Sequence, residues 1–243
     1  AQGRQGLAMV AYDGKLFRLG GFEARNERGD DQDLHSVANF DMFDPATGEW
    51  TELNPMPEPR SSFDAVVLGH TLYVAGGWTL AGEGDTQWCH TAYSLDLSDL
   101  NSEWQALPEP PFTRRALSLA TQDDKVFIIG GMQQQGGPTR DVSIFDPHSG
   151  TWSAGPELPG EQGMEGFGNS SFNVGGRIAV STYGGHVYQL NAAGDSWNKI
   201  GSLETGRFFH RLLPIGENAF ALVGGANMEN GKTTDVEVVN LKR

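Results

Sequence analysis

The chain has 243 residues, 17 basic against 31 acidic for a net charge of −14, and a single cysteine, Cys89. That charge opposes binding to nucleic acid or to an anionic membrane surface, and one cysteine excludes an internal disulfide. The length suits one all-β domain; no stretch approaches the roughly 18 consecutive apolar residues of a membrane span, and the opening AQGRQG lacks the regions of a secretory signal, as a processed chain also would.

Taken from the N-terminus, two apolar runs flank the Asp13-Gly14 turn and end at Gly20-Gly21 (residues 7–21). The loop 22–36 follows, then the alternating run VANFDMFD (37–44) and the turn DPATGEW, which closes on Trp50. The second copy repeats the order: 63–77 around Gly69-His70, ending at Gly76-Gly77, a loop over 78–90, the run 91–97 and Trp104. A third runs over 117–131 around Asp123-Asp124, then 141–146, DPHSGTW and Trp152. The fourth, 170–185 around Gly175-Gly176, passes from Gly184-Gly185 directly into HVYQL (186–190) and reaches Trp197. The fifth, 211–225 around Gly216-Glu217-Asn218, continues into 235–241 and stops without a tryptophan.

The first glycines of the doublets stand at 20, 76, 130, 184 and 224, that is 56, 54, 54 and 40 residues apart. Gly, Asp and Asn supply the positive φ of tight hairpins, so each copy predicts two antiparallel strands, a third from the alternating run and a fourth marked by Trp. Each such tryptophan is expected to fill core. Four-stranded sheets at a period of about 50 residues, with no sustained helical periodicity, predict blades arranged radially.

The Gly-Gly pair after a hydrophobic run, the spaced aromatic and the tryptophan resemble the kelch repeat over essentially the whole chain. The resemblance implies a kelch-type β-propeller, a single domain over 1–243 with repeats at about 4–53, 60–107, 114–155, 164–200 and 207–241. The last blade lacks its outer strand, and the chain reads as a fragment of a longer propeller whose open edge invites self-association or a partner's strand.

In such a blade the second-to-third connections and the segments entering the first strand share one face. Arg4, Arg60, Arg114 with Arg115, and Arg207 stand at those entries; their guanidinium forks suit an anionic group, or else pair with neighbouring acids and orient loops. Met164 and Glu165 occupy the arginine-lacking entry of the fourth repeat. Trp78 and Trp88 lie outside the repeat pattern on long loops and are expected contacts for a peptide or a sugar ring. His210, beside Phe208 and Phe209, is a candidate proton carrier or a structural hydrogen-bonding group.

The acids Glu23, Glu27, Asp30, Asp31 and Asp33 read as a solvated charge run rather than a calcium loop, and Cys89-His90 has no second cluster at zinc spacing, so no metal and no cofactor are expected. Galactose-oxidase-like copper chemistry needs a tyrosine, histidine and cysteine set that these residues do not assemble, and no GxSxG, P-loop or HExxH occurs. Two functions remain in view. One is a non-catalytic propeller binding a protein, peptide or small acidic ligand through Arg4, Arg60, Trp78, Trp88, Arg114, Arg115, Arg207 and His210. The other resembles the kelch-type sialic acid mutarotases, with Arg207 holding a sugar carboxylate while Glu165 and His210 move protons. The compartment stays open.

Overall fold

The computed structural model describes residues 3–27, 29–161, 163–216 and 219–240. They form two compact units, Ala1–Arg115 and Ala116–Arg243. The turn residues Glu217 and Asn218, Arg28 of the first long loop, and Leu241 at the end of the last expected strand lie outside the described residues.

Both units are built from antiparallel sheets whose strands follow chain order. In the first unit, Ala8–Tyr12, Lys15–Leu19, Phe40–Asp44 and Glu49–Leu53 make one sheet. Asp64–Leu68, Thr71–Ala75, Ala92–Asp96 and the short Gln105–Ala106 make the next. In the second unit, Ser118–Gln122, Lys125–Ile129, Val142–Asp146 and Thr151–Ala154 form a sheet, as do Ser170–Val174, Arg177–Ser181, His186–Leu190 and Trp197–Ser202. The last sheet has three strands among the described residues, Arg211–Pro214, Ala219–Val223 and Val236–Asn240. The helical content among them is one 3-10 turn, Gly163–Gly166.

Strand side chains alternate between faces, and inner strands bury both. Arg177–Ser181 shows this directly: Ile178 and Val180 enter a cluster with Ala120, Phe127 and Ile129, while Ala179 enters another with Leu212, Phe220 and Leu222. In the first unit Phe17, Leu19 and Phe40 of one sheet meet Ala65, Leu72 and Val74 of the next, with Phe17 and Phe40 stacked at 5.7 Å. Each fully buried side chain of this size contributes about 1.5–3 kcal/mol.

The marker tryptophans divide. Trp104 packs edge-on against Phe40 at 5.5 Å and Trp197 sits against the core of the second unit. Trp50 departs from the expectation of core filling: it is 45% exposed, with the Arg18 guanidinium 4.3 Å from its ring centroid. The outer strand leaves its solvent side open, so a cation covers the indole instead of a neighbouring sheet.

The second glycine of a doublet is a conformational necessity. Gly76 and Gly77 have φ of 75° and 96°, Gly224 and Gly225 of 63° and 103°. A Cβ on Gly77 would come 2.7 Å from the Ser61 carbonyl oxygen, and one on Gly225 would come 2.8 Å from that of Phe208. The chain approaches there because the amide after the doublet bonds that same entry carbonyl, Trp78 to Ser61 at 3.0 Å and Ala226 to Phe208 at 2.9 Å. The second glycine's own amide reaches the next repeat, Gly21 to the Arg60 carbonyl at 2.9 Å and Gly77 to the Arg114 carbonyl at 2.8 Å.

The connections beyond the doublets form small hairpins: 22–24 with 34–36, 78–79 with 87–88, 132–133 with 137–138, and 226–227 with 231–232. The two long loops are joined to each other, by an Ala81–His35 bridge and by the Ser36 amide donating to the Leu80 carbonyl at 2.9 Å.

Candidate functional site

Each entry segment carries a left-handed residue two positions after its arginine: Gly6, Ser62, Ala116 and Phe209, with Gly168 at the same point of the fourth repeat. Three of them are not glycine, with φ of 52°, 53° and 57° at Ser62, Ala116 and Phe209. The conformation is held by hydrogen bonds between repeats: the Ser62 amide donates to the Gly6 carbonyl, Gly168 to Ala116 and Phe209 to Gly168, each at 2.8 Å. For a bulky residue this region is costly, and residues held there cluster at functional sites.

The arginines turn inward. Arg60 is fully buried; it donates to the Gly76 carbonyl at 2.9 Å, to the Thr91 carbonyl at 3.0 Å and hydroxyl at 2.6 Å, and pairs with Glu58. Arg4 donates to the Gly20 carbonyl and pairs with Asp41, which Arg18 also holds at 2.9 Å. Arg207 donates to the Gly224 carbonyl at 3.4 Å and pairs with Glu237 at 2.9 Å. In all three the guanidinium ties the first glycine of the repeat's own doublet to the third-strand side of its sheet. Arg114 is buried over the Phe112 ring at 4.2 Å. In Arg4, Arg60 and Arg207 the guanidinium is engaged by a backbone carbonyl of its own repeat and by an acid.

Arg115 lies against the two loop tryptophans, 3.9 Å from the Trp78 centroid and 5.5 Å from that of Trp88, which meet edge to face at 5.7 Å. Both indoles are half-buried, so this stack fixes the 78–88 hairpin while leaving part of each ring at the surface. Cys89 beneath it is buried, and burial pushes its thiol pKa up, away from a reactive thiolate.

His210 is 2% exposed and bonds the hydroxyl of fully buried Ser181. Burial above all, with the charges of Arg207 and Arg211 added, lowers its pKa to about 4, so the ring is neutral at physiological pH. The pair is closed off from solvent, and the histidine's other ring nitrogen, Nδ1, is buried without a hydrogen-bond partner among the described residues. Glu165, on the 3-10 turn, is half-buried and accepts from the Gly184 amide at 3.2 Å. Of the mutarotase-like trio, then, Arg207 and His210 are held inside the fold and Glu165 alone stands partly open.

Two residues beyond Glu165, Phe167 joins a group of rings in the second unit that sequence reasoning missed. Phe167 lies 5.6 Å from Phe208 and 5.2 Å from Phe209; Phe208 and Phe209 meet at 5.0 Å; Tyr183 stacks on Phe208 at 6.0 Å. Phe209 is 55% exposed and the other three are half-buried. The signal in the sequence was the Phe208-Phe209 doublet; Phe167 and Tyr183 come from separate segments that meet only in the fold.

Repeated antiparallel sheets with Gly-Gly ends and clamped entry arginines define a class of all-β repeat domain, and comparison with known proteins places it. Residues 1–185 match the model of the KLHDC2/KLHL20/DRC7 Kelch-repeats domain. The chain belongs to the kelch-repeat family, and its fold is the kelch-type β-propeller. It is similar to mouse Kelch-like protein 35 (27% identity over 158 residues, 65% of this chain and 24% of that protein). It is also similar to Aspergillus terreus Kelch-like protein terF (28% over 189 residues, 77% and 38%) and to Limulus polyphemus beta-scruin (30% over 126 residues, 50% and 14%). The chain thus spans between 14% and 38% of the length of these relatives. Among solved structures, that titled "Structure of YjhT" superposes with a TM-score of 0.77 at 16% identity, over 98% of this chain and 82% of that one.

Proposed function

We propose that the chain is a non-catalytic interaction module that docks a peptide segment of a partner protein on the end of the second unit where entry segments and connections meet. The observation that carries this reading is Phe209, an aromatic side chain 55% exposed in a left-handed backbone conformation, at the edge of a four-ring cluster. The backbone conformation recurs at Ser62 and Ala116, but only at Phe209 does it carry a large ring that packs on Phe167 and Phe208 along one side and stays open to water on the other, and aromatic anchors dominate binding energy at interfaces. The kelch-like relatives support a protein partner. In the first unit the half-exposed faces of Trp78 and Trp88, stiffened by Arg115, are the corresponding contacts.

Selection of a peptide-display library against the purified chain, with Phe209→Ala as the counter-target, tests the reading. The expected result is a set of peptides whose affinity falls at least about tenfold in Phe209→Ala, the scale of an interface hot spot. Peptides binding both proteins equally, or none selected, would remove it.

A further inference from the structure

The fourth repeat breaks the arginine pattern in a way that leaves a group available. In repeats one, two and five the entry arginine clamps Gly20, Gly76 and Gly224 through their carbonyls and pairs with an acid. In the fourth repeat that position is Gly166, where a Cβ would collide with the Thr139 carbonyl, so no arginine can stand there. The doublet is held from its other side: the Glu165 carboxylate accepts from the Gly184 amide at 3.2 Å. Glu165 has no ion pair among the described residues, and a carboxylate offers about four acceptor positions, of which that amide takes one. Its charge reaches the surrounding packing, since Tyr188 has its phenol pKa raised by burial and then by Glu165. The aromatic cluster adjoins it along the chain: Phe167 stands two residues on, and Tyr183, on which Phe208 stacks at 6.0 Å, precedes the Gly184 that Glu165 holds.

Resting on the docking reading above, we propose that Glu165, together with the faces of Phe167, Tyr183 and Phe208, takes a guanidinium or ammonium side chain from the docked peptide. The cation supplies in trans what the chain's own arginine supplies in three other repeats. A guanidinium fits both halves of the site, its fork to a carboxylate and its plane to aromatic faces. The net charge of −14 on the whole chain draws such a partner in.

The test uses acetyl-Phe-Arg-amide and acetyl-Phe-citrulline-amide, which differ in charge but little in shape. Titrations of the full chain are followed by the Gly184 amide resonance and the phenylalanine ring signals. The arginyl probe is expected to bind at least about tenfold more tightly than the citrulline probe, in line with a charge-assisted bond, and Glu165→Gln to erase that difference. Added salt should weaken the arginyl probe alone. Equal binding of the two probes, or a preference that survives Glu165→Gln, would overturn the cation site; if that binding is still lost in Phe209→Ala, docking on the aromatic cluster stands. Binding of neither probe would overturn both.

Discussion

The left-handed Phe209 makes a prediction in which stability and binding separate. Phe209→Ala and Phe209→Gly both delete the ring and its contacts with Phe167 and Phe208, at 5.2 and 5.0 Å, so both lose the proposed anchor equally. They differ in the backbone at φ of 57°, where any residue with a Cβ is strained by about 1–2 kcal/mol and glycine is not. Against this, glycine loses about 0.4–1 kcal/mol more conformational entropy on folding than alanine. The glycine variant is therefore expected to be the more stable by roughly 0.5–1 kcal/mol, a reversal of the usual order. Urea titrations of the two variants, compared at matched slope, read that difference directly. An alanine variant as stable as the glycine variant would mean that the inter-repeat hydrogen bond from Phe209 to Gly168 imposes no cost, and the argument from strain to function would fail.

Other outcomes follow from the same geometry. Arg60→Met strands the Gly76 and Thr91 carbonyls, while Glu58, whose side chain is 34% exposed, can turn to water. The first unit should lose about 1–3 kcal/mol per stranded acceptor, seen as a lowered urea midpoint, and a loss under about 1 kcal/mol would show that the guanidinium does not hold the fold. Gly77→Ala places a Cβ 2.7 Å from the Ser61 carbonyl at a φ of 96° and should cost more than about 2 kcal/mol by the same assay. His210 titrates at about 4 in the folded chain and near 6.5 when unfolded, so it carries no penalty above pH 6.5. As pH falls between these values only the unfolded chain takes the proton, and stability declines by about 1.4 kcal/mol per pH unit, roughly 3 kcal/mol in all. His210→Asn should be less stable at pH 7 yet show a shallower decline between pH 6.5 and 4, and parallel profiles would refute the assignment.

The repeat was legible because its constraints fall on residues that have few substitutes. The second glycine of the doublet, at φ near 103° and with a Cβ that would come 2.8 Å from a carbonyl oxygen at Gly225, admits no side chain, so Gly224-Gly225 announces itself at any distance in the chain. The left-handed positions of the entry segments left no such trace, since hydrogen bonds between repeats hold Ser62, Ala116 and Phe209 there regardless of side-chain type. The arginines were visible as a series, but the direction in which a guanidinium turns depends on where Thr91, Asp41 and Glu237 lie after folding. The aromatic cluster was hidden for a related reason: its four rings come from three segments, at 167, 183 and 208–209, that flank strands of two successive sheets and meet only in the fold.

A repeat that satisfies itself has nothing to offer a partner. Arg4, Arg60 and Arg207 each saturate a glycine carbonyl and an acid, so those entries are closed by the interactions that build them. The fourth entry cannot be closed in that way, because close approach to Thr139 requires Gly166 and removes the arginine. With the cation gone, the carboxylate of Glu165 has no ion pair among the described residues, and Phe209, at the edge of the ring cluster, stays 55% exposed. Recognition is thus expected where the internal pattern fails, a consequence of one steric exclusion rather than of an added loop.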